Sequence, residues 1–481
     1  MLSTALTLHF VYCAGNGSYA GIGIPLACPL FFLYTSGMVI SSIDLKGGKV
    51  VQLKNGKEPV LSRTDADSLA AEFNIYGETA VIDLDAALTH TDEGPLKGQT
   101  PNSALLASLL RKGNMRAGGG IRTVKRAKEL ISLGAEKVII GSAAFAGGSE
   151  IRKSGSGAQS VLNTDFLDEL VKAIGKQRII IAVDARDGII SVKGWTQSSG
   201  IPLLDGARAA EKYAGELLFT CVEKEGCMGG TDMEAVRSLR QAVRCRLTAA
   251  GGVSTVREVE ELEKLGVDVQ LGMALYTGAV KLKDCFIACL NWDKAEKHTG
   301  GLIPVIAQST AGEVLMTGFA NRAALEKTFD TKKLTFWSRS RNRLWTKGET
   351  SGNTLSVVKM RADCDRDTVL AVVEPAGPSC HTGSWTCFSS EAGAKSNLER
   401  LENIIAERFA HPTPGSYTAT LDDKRVREKI AEESQELIEA NGKDEVVWEA
   451  ADLMYFIGVL LHRENVRWQD VYDELDRRHK K

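Results

Sequence analysis

From residue 38 onward, short apolar runs alternate with longer amphipathic stretches, and glycine-rich turns separate them. The apolar runs fall at 39–44, 80–84, 114–118, 137–141, 178–184, 216–222, 246–250 and 267–272. Their lengths suit buried strands. The intervening stretches, such as 123–133 and 256–265, repeat apolar residues at helical spacing. Regular strand–helix alternation through 38–285 predicts a (β/α)8 TIM barrel.

The pattern also repeats within itself. Ile43-Asp44-Leu45-Lys46-Gly47-Gly48 resembles Val183-Asp184-Ala185-Arg186-Asp187-Gly188. Ala117-Gly118-Gly119-Gly120-Ile121 resembles Ala249-Ala250-Gly251-Gly252-Val253, and Ile140-Gly141-Ser142-Ala143 resembles Leu271-Gly272-Met273-Ala274. Strands one, three and four thus recur as five, seven and eight, which reads as two half-barrels.

The repeat places chemistry. A single glycine pair at a strand end is usually only a turn, but paired copies in register predict two anion cradles on opposite sides of one mouth. Gly119, Gly120, Gly141 and Ser142 form one; Gly251, Gly252 and Gly272 form the other. Backbone N–H groups there hold phosphate without a basic side chain. Asp44 and Asp184 end strands one and five, facing each other across the mouth, as acid–base work on a substrate between them requires.

With Val81-Ile82-Asp83-Leu84-Asp85, Gly118-Gly119-Gly120-Ile121-Arg122 and Gly194-Trp195-Thr196-Gln197-Ser198-Ser199-Gly200, residues 38–285 resemble the phosphoribosylformimino-aminoimidazole carboxamide ribotide isomerases of histidine biosynthesis. The run 194–200 favours them over the sister cyclase barrel. The resemblance implies an Amadori aldose–ketose rearrangement with Asp44 as base and Asp184 as acid. Arg122 and Trp195 lie within the matching runs and are expected at the substrate. The Thr220 hydroxyl, ending strand six, is placed to bond a sugar oxygen. The chain departs from the family at Cys221, where Asp is usual, at Met273, and in a Gly/Ser-rich insertion at 147–160. The alternative these departures leave open is a bifunctional hydrolase with a non-catalytic, phosphate-binding barrel.

A polar linker is expected at 286–301, then a small mainly-β α+β domain at 302–392. If Asp363-Cys364-Asp365-Arg366-Asp367 is a strand, Asp363, Asp365 and Asp367 share a face and Cys364 takes the other. Three carboxylates on one face suit Mg²⁺. Cys364, Cys380 and Cys387 supply three thiolates, the set of a catalytic Zn²⁺ site with an open position, and His381 beside one of them is placed for general acid–base work. Trp337, Arg339, Arg341, Arg343 and Lys347 form a basic, aromatic patch suited to a phosphorylated nucleotide. Single-stranded nucleic acid is the more distant alternative.

The run from Phe336 through Trp345, Lys347 and Ser351 to Asn353, with Glu374-Pro375-Ala376-Gly377-Pro378-Ser379-Cys380-His381, resembles phosphoribosyl-AMP cyclohydrolase. That implies ring opening of the adenine by Zn²⁺-activated water with Mg²⁺ assisting. It also implies metal ligands shared across a homodimer.

Residues 394–481 turn helical, with Val426, Ile430, Leu437 and Ile438 expected on one buried face and a second helix, 445–462, expected to be buried nearly all round. An all-α bundle is predicted. Glu432, Glu433 and Glu436 on one helix and Glu449 and Asp452 on the next suggest a carboxylate metal cage. This pattern, with Gly415-Ser416-Tyr417-Thr418, resembles phosphoribosyl-ATP pyrophosphohydrolase, implying Mg²⁺ at a triphosphate.

Composition adds few constraints. The chain has 481 residues, 43% hydrophobic and 25% charged, with a formal net charge of -2. That balance excludes global disorder and provides no basic field for nucleic acid. Ten cysteines are too few for a disulfide scaffold and fit a reducing compartment. Residues 1–37 contain no Lys, Arg, Asp or Glu, and their apolar runs are too short and broken to span a membrane. They are read as an extension upstream of a start at Met38, which leaves the protein cytoplasmic; the alternative is an organellar leader. The three resemblances together predict a trifunctional histidine-biosynthesis enzyme.

Overall fold

The structure, a computed structural model, describes residues 39–54, 56, 58–88, 100–145, 161–388, 398–412 and 417–479. The extension 1–37, the insertion 147–160, and Gly415 and Ser416 lie outside the described residues.

Eight parallel strands form the barrel: β1 (Val39–Lys46), β2 (Thr79–Asp83), β3 (Met115–Gly118), β4 (Lys137–Ile140), β5 (Ile179–Ala182), β6 (Glu216–Thr220), β7 (Arg246–Ala250) and β8 (Asp268–Leu271). Each pairs with the next, and β8 returns to β1 with Val39 opposite Val269, so the sheet closes. The strand residues alternate between two cores. Ile40, Ala80, Ile139, Ile180, Ala182, Leu218 and Ala250 fill the interior. Ile43, Val81, Val138, Ile181, Leu217 and Val269 face the surrounding helices.

That alternation fixes the polar positions as well. Asp44 follows Ile40 by four residues and Asp184 follows Ala182 by two, so both point inward at the C-terminal ends of their strands. At the opposite end the same parity directs Arg116, Lys137, Glu216, Arg246 and Asp268 inward. Arg116 meets Glu216 at 2.5 Å and also pairs with Glu78. Arg246 meets Glu78 at 2.7 Å and Asp268 at 2.5 Å, and Lys137 meets Glu216 at 2.9 Å. Burial would raise Glu78 and Glu216, but Arg116, Arg246 and Lys137 hold both well below the usual carboxylate range. The barrel floor is therefore an ion lattice.

The helices that concern the second domain are α1 (Ala66–Asn74), α2 (Val256–Lys264), α3 (Leu282–Ala288) and α4 (Trp292–Thr299). The stretch expected as a polar linker is thus largely helical. Its apolar residues Phe286, Ile287, Cys289 and Leu290 are buried, which draws it onto the fold. Next come β9 (Ile303–Ser309), β10 (Val314–Ala320), α5 (Arg322–Thr331), β11 (Thr335–Ser338), β12 (Arg343–Thr346), β13 (Leu355–Ala362) and β14 (Val369–Pro375). The sheet order is β10-β9-β14-β13, with β11 and β12 as a separate hairpin.

This domain docks on the N-terminal end of the barrel. Met360 N–H donates to Ile75 O at 2.8 Å, and Tyr76 stacks on Phe329 at 4.8 Å between centroids. Lys359 reaches Asn74 Oδ1 at 3.2 Å. One hydrophobic core runs through barrel and sheet.

The last region is all-α: α6 (Leu398–Ala410), α7 (Asp423–Glu439), α8 (Lys443–Arg463) and α9 (Trp468–His479). Ile405, Leu421, Val426, Phe456 and Val459 form its core. Two expectations are corrected here. Only Phe456, Gly458 and Val459 of α8 are buried, and Val446, Val447, Trp448 and Met454 are exposed. Ile438 is exposed as well. The core of the bundle takes Phe456 and Val459 from the C-terminal half of α8, and among the described residues Val446, Val447 and Trp448 of its N-terminal half are left out of that core. Among the described residues no helix is long and apolar enough to cross a membrane.

Candidate active and metal sites

The barrel mouth holds a cavity of about 270 Å³ whose lining includes Asp44, Asp184, Thr220, Arg122 and Trp195. Gly119, Gly120, Gly141 and Ser142 line it from β3 and β4, and Gly251, Gly252 and Gly272 from β7 and β8. The two cradles stand four strands apart, hence on opposite sides. Gly119, Gly120, Gly251 and Gly252 all take positive φ. A Cβ on Gly120 would collide with Ala86 O and one on Gly252 with Gly230 O. The close approach of backbone to backbone therefore demands glycine. Ser142 is already engaged, its Oγ accepting from Lys193 N–H at 2.6 Å.

The mouth carboxyls are tuned by burial. Asp44 is pushed up to about 6 by desolvation, opposed by the Ser42 hydroxyl that donates to it at 2.9 Å. Desolvation also raises Asp184, with Trp195 and Thr220 pulling it back. The Trp195 indole N–H donates to Asp184 Oδ2 at 2.8 Å, while Oδ1 is buried without a hydrogen bond. A third carboxyl went unread in the sequence. Glu225 lines the same cavity and is pushed up to about 8, by burial first and then by Asp44 and Asp184. The only signal for it was its place in the loop after β6. Cys221 does not line the cavity: it belongs to the hydrophobic core, and burial pushes its thiol up to about 11. Its side chain thus turns into the core while its backbone packs against Gly251 of the cradle.

In the second domain, residues 363–368 are not a strand but the turn between β13 and β14. Arg366 takes a left-handed φ of 64°, and Asp363 Oδ1 accepts from the N–H groups of Asp367 and Thr368 at 3.0 and 3.1 Å. A carboxylate that bonds the backbone two to five residues on favours a turn over an extended ladder. The turn still gathers Asp363, Asp365 and Asp367, with one oxygen from each within 4.8 Å of the others. Their grouping therefore comes from curling and not from alternation.

Cys380 and Cys387 lie close enough for each to shift the other, and Thr382 Oγ1 donates to Cys380 Sγ at 3.1 Å, which lowers that thiol. His381 is exposed beside them, its Nδ1 3.8 Å from Cys380 Sγ. Cys364 is exposed in the aspartate turn, and among the described residues it joins no ligand-sized group with the other two thiols. The basic patch also divides. Trp337 is half-buried, and Arg339 and Arg341 are exposed, Arg339 lying over the Phe319 ring at 4.1 Å. Lys347 is buried instead, with Nζ donating to Asn353 O at 3.2 Å near both thiols. Ser351 is exposed and accepts from Asn353 N–H.

In the bundle, Glu433, Glu436 and Glu449 gather with ligand oxygens within 4.8 Å of one another. Glu433 is buried, as its place in an apolar stripe requires, and pairs with Lys429 at 2.7 Å. Glu432 turns outward to Lys429 at 3.0 Å. Asp452 lines a cavity with Glu433, Arg408 and Thr418. Partial desolvation and the charges of Glu433, Glu449 and Glu432 raise Glu436.

Comparison with known proteins agrees with this division. Residues 38–281 match the family described as histidine biosynthesis protein, 316–389 phosphoribosyl-AMP cyclohydrolase, and 398–479 phosphoribosyl-ATP pyrophosphohydrolase. The C-terminal part is similar to histidine biosynthesis bifunctional proteins HisIE. That of Photobacterium profundum is 43% identical over 208 residues, covering 40% of this chain and 99% of the relative. The Pasteurella multocida protein is 46% identical over 203 residues, covering 40% and 99%. The Bacillus subtilis protein is 44% identical over 200 residues, covering 39% and 96%.

Proposed function

The chain belongs to the histidine biosynthesis protein family through its barrel and to the bifunctional HisIE family through its C-terminal part, and from that premise we propose that it catalyses three steps. It joins cyclohydrolase and pyrophosphohydrolase domains to an isomerase-type barrel. In this reading the bundle cleaves phosphoribosyl-ATP to phosphoribosyl-AMP and pyrophosphate. The second domain opens the adenine ring, and the barrel isomerises the product. The observation that carries the barrel's part is one cavity lined by two opposed carboxyls and two glycine cradles.

The substrate spans the mouth with a phosphate at each cradle. Asp184, its proton affinity raised by burial, delivers a proton to the sugar ring oxygen, and the ring opens to a protonated imine. Asp44, pushed up to about 6 and so ionised at neutral pH, removes the C2 proton. The resulting enolamine tautomerises to the aminoketose. Thr220 holds a sugar hydroxyl, Trp195 orients Asp184, and Arg122 adds charge beside the cradle.

The acidic groups fit hard divalent cations, since three carboxylates converge at each of two places. Mg²⁺ would be held by Asp363, Asp365 and Asp367 in one domain and by Glu433, Glu436 and Glu449, with Glu432 and Asp452 near, in the other. Zn²⁺ would be held by Cys380 and Cys387 with Cys364. When bound, these ions supply an acidified water and neutralise phosphate charge. His381 is placed to relay the proton of the attacking water, and Trp337, Arg339, Arg341, Lys347 and Ser351 to bind nucleotide. Because Cys364 stands apart from the other two thiols, we read the third ligand as coming from a second copy, which makes a homodimer. The exposed apolar residues of α8 favour assembly too. The reading places the enzyme in the cytoplasm.

The test feeds phosphoribosyl-ATP with Mg²⁺ and Zn²⁺ and follows products in time. Sequential appearance of phosphoribosyl-AMP, the ring-opened aldose and the ketose is expected. Asp44→Asn and Asp184→Asn should each slow only the last step, by about 10²–10⁴-fold. Unchanged isomerisation in both would remove the barrel's assignment.

A further inference from the structure

Lys294 lies on α4, between barrel and cyclohydrolase domain, and the reading above gives it no role. Its ammonium sits 2.5 Å from Asp367 Oδ2 and pairs with Asp365 as well. The backbone around it is tied to the same turn. Asn291 N–H donates to Arg366 O at 2.8 Å and Asn291 Nδ2 to Asp365 O at 3.3 Å. Asn291 Oδ1 then caps α4 by accepting from Lys294 N–H at 3.1 Å. On the other side Arg366 pairs with Glu263 of the barrel helix α2. The aspartate turn is thus held between the barrel and the connecting helix, with a positive charge delivered onto two of its three carboxylates.

We propose that Lys294 is an internal counter-cation of this turn: it neutralises Asp365 and Asp367 when no divalent ion is bound and must withdraw as one enters. The inference rests on the reading of Asp363, Asp365 and Asp367 as Mg²⁺ ligands. An ammonium and a divalent ion repel each other and compete for the same oxygens. The ammonium is the weaker competitor, because its pairs are partly exposed and screened by solvent. Lys294 therefore lowers the affinity of the site without closing it. It also makes loading of the ion a displacement at the junction between the two domains.

The experiment is calorimetric titration of Mg²⁺ into the full chain, stripped of metal beforehand, for wild type, Lys294→Met, Lys294→Arg and Asp367→Asn. The heat lost in Asp367→Asn identifies the turn and separates it from the bundle's carboxylates. Lys294→Met should lower Kd at the turn about fivefold, the scale of one exposed ion pair. Lys294→Arg, which keeps the charge, should leave Kd near wild type and shows that any change is not a general loss of α4. Equal or weaker binding in Lys294→Met would mean that Lys294 orders the carboxylates instead of competing for them, and would overturn the proposal. If Asp367→Asn titrates like wild type, the turn binds no Mg²⁺; that overturns the Mg²⁺ reading itself, and the counter-cation with it.

Discussion

The indole of Trp195 and the carboxyl of Asp184 form one unit: Nε1 donates to Oδ2 at 2.8 Å, from a backbone held in the left-handed region at Lys193, Gly194 and Trp195. A non-glycine residue at φ 66° is strained unless its surroundings fix it. Trp195→Phe keeps an aromatic ring, though a smaller one, and removes the donor. The Asp184 carboxyl then loses a stabilising bond to its ionised form and rises further. A general acid must be protonated, so the alkaline fall of isomerase kcat/KM should move to higher pH. The value at neutral pH should drop about 10- to 150-fold, from a charged-group hydrogen bond worth ~1.5–3 kcal/mol. A pH–rate profile on the ring-opened aldose reads both, and an unmoved alkaline limb would sink the idea.

Glu225 gives the stability of the barrel a pH dependence. Its carboxyl is pushed from 4.5 up to about 8, first by burial and then by Asp44 and Asp184. The folded value exceeds the unfolded one, so the folded state holds the proton more tightly. The stabilisation is full below about pH 4.5 and is lost as pH rises through about 8. Glu225→Gln keeps a neutral side chain at all pH. Its melting temperature should exceed that of wild type by a growing margin across that window. A gap that stays constant with pH would show that the shift is not felt.

The ion lattice on the barrel floor should tolerate the loss of a partner poorly. Arg116 is buried between Glu78 and Glu216. Arg116→Met leaves buried carboxylates short of a counter-charge and should cost about 3–5 kcal/mol. Urea denaturation measures it, and a loss below about 1 kcal/mol, the scale of a surface pair, would contradict the picture.

Chelation should divide the activities. EDTA should abolish pyrophosphate release and ring opening, and leave isomerisation of supplied aldose unchanged, because the proposed rearrangement assigns its proton transfers to Asp44 and Asp184 and no step to a metal. Mg²⁺ should restore the first reaction, and Zn²⁺ with Mg²⁺ the second. Three separate assays on one preparation decide it; loss of isomerisation on chelation would be the contrary result.

The separation of Cys364 from Cys380 and Cys387 predicts complementation between copies. Cys364→Ser and Cys380→Ser should each lack ring opening alone. Co-expressed, they should recover about a quarter of wild-type activity, since random pairing makes half the dimers mixed and each mixed dimer has one intact site. No recovery, with mixed dimers present, would place all three ligands in one chain.

The barrel was legible because its signals are local and repeated. Ile40, Ala182 and Leu218 set the inward parity of their strands, and Asp44, Asp184 and Thr220 follow from it two to four residues on. The aspartate turn was legible in composition but not in shape. Alternation and curling both bring Asp363, Asp365 and Asp367 together, and only the bonds from Asp367 and Thr368 to Asp363 distinguish them. The exposure of helix α8 was not legible, because an apolar sequence does not say what covers it, and among the described residues Trp448 is left 70% exposed.

The sequence by itself determined the order of the three domains, the duplicated cradles and the two opposed carboxyls of the mouth. Each depends on period, spacing or repetition along the chain. The tertiary structure alone decided that Glu225 joins those carboxyls, that Cys221 turns away from them, and that Lys294 reaches the aspartate turn seventy-odd residues ahead. It also decided that the second domain seats on the barrel floor, away from the mouth. Those outcomes depend on which surfaces meet after the elements form, and burial, charge and shape between distant segments leave no period in the chain to read.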